Sequence, residues 1–315
     1  MSSTSTVTVA LAADQGYALP LTVAAESVIS TLDPELNLRL CILDMGIDAA
    51  DRAIMMETFR KPRVETIWIG TLRDRVTGLP NTWPAITRAG YARIFAAEVL
   101  PDVDRLLYLD CDTLAVSSVS ELYFAEMNGA WALGCPDVQT PFVCNFVPYW
   151  FENGRKGEDP SFNSGVLLMD LVAWRREGVM QALIRYLTDG RHLRGQDQEA
   201  INAVIGEHIG QVDPRWNQQA EIFWGTIDAH YDKFLPYPRE TIELIRNDPW
   251  IIHYCNAVKP WHHGCPHPAL DRWFAALDQT EYRGWRPARP SPAKRIIKAA
   301  GRRGIDAARA IVNRL

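Results

Sequence analysis

The sequence predicts an α/β protein built on a single, mostly parallel, Rossmann-like sheet flanked by helices. Two observations carry this. Short aliphatic runs alternate with longer segments of helical spacing, the pattern of strands joined by crossover helices. Several of those runs end in an acid or a histidine, at Asp14, Asp44, Asp110 and His253, and ligands of open parallel sheets sit beyond the carboxyl ends of strands. With 315 residues, 47% of them hydrophobic, the chain can bury a large core.

The elements follow in order. Val7 to Ala12 is an apolar run that reads as a buried strand. Leu19 to Leu32 has helical spacing and is stopped by Asp33-Pro34. Leu38 to Leu43 is a strand, Ala49 to Phe59 a helix, and Val64 to Ile69 a β-branched strand. Ala85 to Leu100 reads as a helix holding Arg88 and Arg93. Asp104 to Asp110 is a central strand closing on Asp110-Cys111-Asp112, and Trp131 to Cys135 a short strand. Phe162 to Asp170 is a loop feeding a strand. Leu171 to Leu187 and Asp197 to Ile205 are helical, and Trp250 to Tyr254 is the last strand.

Composition narrows the class. No apolar run approaches the roughly 18 residues that a membrane span requires. The start, Met-Ser-Ser-Thr-Ser-Thr, has neither a basic nor an apolar region, so no export signal is expected. Six cysteines, at 41, 111, 135, 144, 255 and 265, form no Cys-x-x-Cys pair. A cytoplasmic, reduced protein is the expectation. Eleven tryptophans suit both core filling and sugar stacking.

The net charge of −5 hides an asymmetry. From Arg283 to the end there are ten basic residues and one acid, so that segment is +9 and residues 1–282 carry −14. Two parts are expected: a catalytic body, 1–282, and a tail, 283–315. The tail opens with Arg-Pro-Ala-Arg-Pro-Ser-Pro at 286–292, a stiff linker. From 293 a helix would gather Lys294, Arg295, Lys298, Arg302 and Arg309 on one side and Ile296, Ile297, Ala300, Ala307, Ala308, Ile311 and Leu315 on the other, with Ile305, Val312 and Arg314 breaking the pattern; a solvated tail or a helix docked on a partner is the alternative to a membrane-bound one. A basic amphipathic helix of this kind lies on an anionic membrane surface. The expectation is peripheral attachment at the inner face of the membrane through 293–315, and no nucleic-acid partner.

Two constellations carry chemistry. Asp110-Cys111-Asp112 closes an apolar strand. In extended chain residues two apart share a face, so both carboxylates can hold one divalent cation while Cys111 turns to the core. Oxygen ligands suit Mg²⁺ or Mn²⁺, with substrate phosphates completing the shell. His253-Tyr-Cys-Asn-Ala-Val-Lys259-Pro-Trp261 is the second. An imidazole beside two carboxylates tilts the choice toward Mn²⁺, and Lys259 can neutralise a phosphate. A competing reading is zinc at His253, Cys255, His262, His263, Cys265 and His267, whose spacings match no usual structural site. Gln196 to Glu199 opens a helix, and Asn163-Ser164-Gly165 precedes a strand; each suits ligand contact or plain capping and turning.

Six segments in order resemble the family 8 retaining glycosyltransferases. They are Leu11–Tyr17, Tyr91–Arg93, Leu106–Asp112, Phe162–Leu171, Gln196–Gln198 and His253–Trp261. The likeness runs over residues 7–265. It is nearest to bacterial lipopolysaccharide galactosyl- and glucosyltransferases and more distant to glycogenin. The resemblance implies a GT-A fold, an Mn²⁺ ion (Mg²⁺ as the alternative) and a UDP-hexose donor carrying galactose or glucose. It implies Asp110, Asp112 and His253 on the metal, and Ala12, Asp14 and Tyr17 at the uridine. Arg93 and Asn163 would stand at the donor sugar, Lys259 and Asn256 at the diphosphate, and Asp197 and Gln198 as catalytic groups by the reacting carbon. Asp137 and Cys255 are weaker candidates for the acceptor, a glycan or glycolipid such as lipopolysaccharide core. Two positions depart from the family: Gly16 stands where asparagine is common, and Asn256 where glycine is usual. The alternatives are a metal-dependent nucleotidyltransferase, against which the missing Gly-rich phosphate loop counts, and an inactive sugar-nucleotide-binding protein.

Overall fold

The computed structural model describes residues 5–70, 72–81, 87–190, 193–223 and 236–289. The basic helix expected at 293–315 lies outside them.

The first half alternates as its sequence predicts. Strand β1 (Thr6–Ala13) leads through a one-turn 3-10 segment to α1 (Ala18–Thr31), then β2 (Asn37–Asp44), α2 (Ala49–Phe59) and β3 (Val64–Ile69). Asp48 caps α2 by accepting from Asp51 N at 2.9 Å, which satisfies one of the helix's free donors. Pro20 falls in the first turn of α1, where its missing N–H is not needed. Strands β4 (Arg105–Leu109), β5 (Thr113–Ala115), β6 (Ala132–Pro136) and β7 (Phe162–Asp170) follow.

Seven strands form the main sheet in the order β3-β2-β1-β4-β7-β6-β8, with β8 at Ile209–Gln211. All neighbours run parallel except around β7, which is antiparallel to both β4 and β6. The single predicted sheet is joined by a second small one, β5-β10-β9, with β9 at Gln218–Gln219 and β10 at Ile251–His253. His253 therefore ends a strand of this small sheet.

Both faces of the main sheet are buried. Val7, Val9 and Leu11 of β1 pack into one cluster with Leu107 and Leu109 of β4. Ala10, Ala12, Leu106 and Tyr108 pack into the other. A one-residue slip would exchange these two sets of side chains, so the register is fixed.

Several boundaries differ from the sequence reading. Phe162–Asp170 is strand throughout, because β7 is covered on both sides of the sheet. The helix expected over Leu171–Leu187 is two helices, α3 (Leu171–Arg176) and α4 (Val179–Thr188), broken at Gly178 in the left-handed region with φ 63°. Arg88–Phe95 is a 3-10 run that becomes a short helix at Ala96–Val99. Helix α5 spans Gln196–Ile205 and α6 Leu270–Leu277. The chain beyond α6 stays on the body: Tyr282 OH donates to Asp51 Oδ1 at 2.5 Å, and Arg286 pairs with Asp278 at 2.6 Å.

Candidate active site

Strands β1 and β4 lie side by side and parallel, and the chain goes on from β1 to its neighbour β2 and from β4 into the small sheet through β5. A crevice opens beyond the carboxyl ends of such a pair. Asp14 follows β1 there, and Asp110 to Asp112 follow β4. These three residues form a turn, with Thr113 N donating to Asp110 O at 3.1 Å. The turn, rather than strand alternation, brings the two carboxylates together. Cys111 points inward, 5% exposed, and donates to Ala12 O at 2.9 Å.

Strand β10 delivers His253 to the same place. One ligand atom each from Asp110, Asp112 and His253 lies within 4.8 Å of the others. His253 Nε2 is 3.2 Å from Asp112 Oδ1 and 4.0 Å from Asp110 Oδ2. Its Nδ1 lies 2.9 Å from Asn217 Oδ1. An amide oxygen can only accept, so Nδ1 carries a proton, and Nε2 is the nitrogen turned toward the carboxylates. A Cβ on Gly165 would stand 2.3 Å from His253 Cε1 and 2.8 Å from Asp110 Oδ2. The bare backbone of β7 at Gly165 thus makes the cradle in which the His253 and Asp110 side chains lie, and any side chain there would intrude on it. Two carboxylates, an imidazole nitrogen and this cradle fit a divalent cation. Among the described residues no second such cluster forms. The zinc arrangement is not assembled: Cys265 Sγ donates to Val258 O at 3.4 Å, and His267 Nδ1 accepts from Ala269 N at 3.1 Å.

Charge balances at this end. Lys259 Nζ sits 2.5 Å from Asp112 Oδ2 and donates to Tyr254 O at 2.9 Å. Burial works against the Asp112 carboxylate, but Lys259 and His253 outweigh it and hold its pKa well below the usual range. Burial likewise opposes the charged forms of Lys259 and His253, and Asp112 outweighs it in both, raising their pKa values. Arg93, 3% exposed, has Nη2 2.8 Å from Asp110 Oδ1 and stacks 4.2 Å over the Tyr108 ring. Its Nε donates to Gly90 O at 2.9 Å, and Asp197 Oδ2 lies at the same distance as an ion-pair partner. Burial raises the Asp197 pKa against the pull of Arg93.

The other end is made of amides. Gln198 Nε2 and Asn163 Nδ2 both lie 3.1 Å from Asp137 Oδ2. Gln198 Oε1 accepts from Ser164 N at 3.0 Å. Asp137 Oδ1 accepts from Gln139 N and Thr140 N at 2.9 and 2.8 Å. Asp137 is 6% exposed and both its oxygens are engaged. One of those oxygens, Oδ2, is shared by Gln198 and Asn163. Helix α5 starts with Gln196 in the left-handed region at φ 52°, a conformation uncommon outside glycine. That start aims Asp197 and Gln198 into the crevice.

The remaining predicted residues stand at or just beyond the carboxyl ends of β1 and β10. Asp14 Oδ1 accepts from Gly16 N at 3.0 Å, and Tyr17 meets Trp261 edge-on with centroids 5.6 Å apart. Ala12 is the last residue but one of β1. Asn256 is half-buried and accepts from Ala257 N at 2.6 Å. Cys255 donates to Glu221 Oε2 at 3.2 Å, and burial pushes its thiol pKa well up. Sequence reasoning missed Asn217 and Glu221. The run Asn217-Gln218-Gln219, three amides together before apolar residues, is the one signal that could have flagged the first.

Known proteins share this architecture. General stress protein A of Bacillus subtilis is 25% identical over 281 residues, covering 86% of this chain and 92% of its own. Lipopolysaccharide 1,2-glucosyltransferase of Escherichia coli is 28% identical over 229 residues, covering 71% of this chain and 63% of its own. The crystal structure of galactosyltransferase LgtC with donor and acceptor sugar analogues superposes with a TM-score of 0.70 at 25% identity, over 90% of this chain and 98% of that one. The mixed sheet with its flanking helices is thus the GT-A fold. The model of the family described as "Glycosyl transferase family 8" matches residues 8–265, most of the chain, and the chain belongs to that family.

Proposed function

We propose that the protein is a retaining hexosyltransferase. It moves galactose or glucose from a UDP-sugar to a glycan acceptor, lipopolysaccharide core or another glycolipid, with Mn²⁺ bound. The observation that carries this is the convergence of Asp110, Asp112 and His253 within 4.8 Å, with Lys259 against them. The lipopolysaccharide glucosyltransferase and galactosyltransferase LgtC among its relatives support the substrate class.

In the reaction the bond from the anomeric carbon to the diphosphate oxygen breaks. A bond from that carbon to the acceptor hydroxyl forms on the same face, and the hydroxyl proton passes to the departing diphosphate. A cation held by Asp110, Asp112 and His253 supplies charge stabilisation to the leaving diphosphate. Lys259 adds a second positive charge there. Ala12, Asp14 and Tyr17 hold the uridine. Arg93 and Asn163 fix the donor-sugar site, and Gln198 and Asp197 offer polar oxygens to the cationic sugar. Asn256 lines the diphosphate path, and Cys255 with Glu221 the acceptor side.

The test is UDP release from UDP-galactose and from UDP-glucose, with Mn²⁺ and with chelator, for wild type and Asp112→Asn. Mn²⁺-dependent release lost in the variant supports the reading and ranks the donors. No release and no metal-dependent UDP binding overturns it.

The basic tail supports attachment to an anionic membrane surface at the inner face. Among the described residues no helix is long and apolar enough to cross a membrane. Vesicles of anionic lipid are expected to retain the full chain better than a 1–285 truncation; equal retention removes the attachment.

A further inference from the structure

A buried chain of side chains joins the cation cluster to Gln198. His253 Nδ1 donates to Asn217 Oδ1 at 2.9 Å. Asn217 Nδ2 donates to Asn163 Oδ1 at 3.0 Å. Asn163 Nδ2 donates to Asp137 Oδ2 at 3.1 Å, the oxygen that also accepts from Gln198. Exposure is 3% at His253, 1% at Asn217, 7% at Asn163 and 6% at Asp137, so water cannot substitute for a lost partner.

The direction of every bond is dictated from one end. A carboxylate only accepts, so Asp137 demands the NH₂ group of Asn163. Gly165 N donates to Asn163 Oδ1 at 3.0 Å and fixes that amide the same way round. Asn163 Oδ1 then faces the NH₂ group of Asn217, since two amide oxygens would repel. Asn217 is left to offer its oxygen to His253, and this puts the imidazole proton on Nδ1. Nε2 is then the nitrogen left to face Asp112, Asp110 and a cation. At the far end the shared Asp137 oxygen holds Gln198 Nε2, so Gln198 Oε1 turns to Ser164.

We propose that Asn217 is a positioning residue that couples the two ends of the site. It holds His253 in the tautomer able to bind a divalent cation, and through Asn163 and Asp137 it sets the placement of the Gln198 amide. The coupling to Gln198 rests on the transferase reading above; the coupling to the cation does not. Partners of metal-bound histidines behave this way generally, and their loss weakens metal binding about 10- to 100-fold.

The experiment uses the full chain, as wild type, Asn217→Leu and Asn217→Asp. Three quantities are read: the His253 Nδ1–H signal in ¹⁵N-histidine NMR, Mn²⁺ affinity by electron paramagnetic resonance, and UDP-hexose turnover at saturating Mn²⁺. Asn217→Leu removes both bonds. Its Nδ1–H signal is expected to vanish, Mn²⁺ affinity to fall about 10- to 100-fold, and turnover to fall even at saturating Mn²⁺. Asn217→Asp keeps an acceptor for His253 but sets a second acceptor against Asn163 Oδ1. It should keep the Nδ1–H signal and bind Mn²⁺ within about threefold of wild type, yet turn over about tenfold more slowly. If the leucine variant does not fold, the aspartate variant carries the test alone. A folded leucine variant with the wild-type tautomer and Mn²⁺ affinity overturns the proposal, as does wild-type turnover in the aspartate variant. A wild type that binds Mn²⁺ but releases UDP from no UDP-hexose overturns the transferase reading instead, and the tautomer and Mn²⁺ readouts then decide the Asn217–His253 coupling by themselves.

Discussion

The two ends of the candidate site are held by different forces. The cation end is ionic: Asp110, Asp112, His253, Lys259 and Arg93 bring opposite charges within 2.5 to 4.0 Å. The amide end is nearly neutral and rests on directed hydrogen bonds among Asn217, Asn163, Gln198 and one carboxylate, Asp137. Coulomb attraction acts over distance and forgives small displacements. Hydrogen bonds weaken steeply with angle and do not. The cation end should therefore tolerate loosening and fail on steric blockage or charge loss. The amide end should fail on subtler changes that leave binding intact.

The largest effect is expected where a side chain would fill the cation cradle. Gly165→Ala puts a Cβ 2.3 Å from His253 Cε1 and 2.8 Å from Asp110 Oδ2. Both are ligand-bearing side chains held from behind, so the site must open. Turnover should fall about 100-fold or more, with Mn²⁺ affinity lost in parallel by electron paramagnetic resonance. A variant with wild-type Mn²⁺ affinity would show that the two ligands yield easily, against the rigid cradle.

Lys259→Met comes next and probes charge alone. It strips Asp112, 9% exposed, of its closest cation. Breaking a buried pair from one side costs about 3 kcal/mol or more, so the metal-free chain should melt lower. Added Mn²⁺ should then raise the melting temperature more than it does in wild type, because the metal replaces the missing cation and no ammonium competes for Asp112 Oδ2. Equal Mn²⁺ shifts in both proteins would mean that Lys259 is not the resident counter-ion.

The same contrast explains what could be read from sequence. The cation end was legible because Asp110 and Asp112 are two residues apart after an apolar strand, and His253 and Lys259 share one segment. Charged groups in apolar surroundings are rare enough to stand out. The parallel strands β1 to β4 were legible for a related reason: each is a self-contained apolar run. The amide end was not. Asn217 reaches Asn163 across 54 positions and His253 across 36, and a lone asparagine carries no spacing signal. Asp137 was legible as a candidate, but only the fold shows both its oxygens taken. The break at Gly178 was hidden because one glycine within a helical pattern costs only about 1 kcal/mol; the left-handed turn there is a tertiary choice.

Gln198→Ala tests the amide end where it meets the substrate. Its side chain touches Ser164 and Asp137 and no cation ligand. Turnover should fall about 100-fold, while UDP affinity with Mn²⁺ stays within about twofold. Parallel loss of UDP affinity would erase the distinction between the two ends.

The smallest effect lies outside the site and isolates what Lys259 does for Asp112. Glu26 in α1 is also a buried carboxylate, 5% exposed, with Oε2 lacking a hydrogen-bond partner. Burial pushes its pKa from 4.5 to about 6, and the more distant Lys61 only partly opposes this. Asp112 moves the opposite way because its cation is in contact. Between pH 4.5 and about 6 the folded chain keeps a proton on Glu26 that the unfolded chain has lost. Stability should fall as pH rises through that window and stay flat above it. Glu26→Gln carries no such titration. It should be about 1–2 kcal/mol more stable than wild type at pH 8, with the gap closing as pH falls toward 4.5, measured as urea midpoints of the two proteins across that range. A constant gap would assign the gain to packing. A gap that closes would show that desolvation alone moves a carboxylate up in this fold, the direction against which Lys259 and His253 pull Asp112 down.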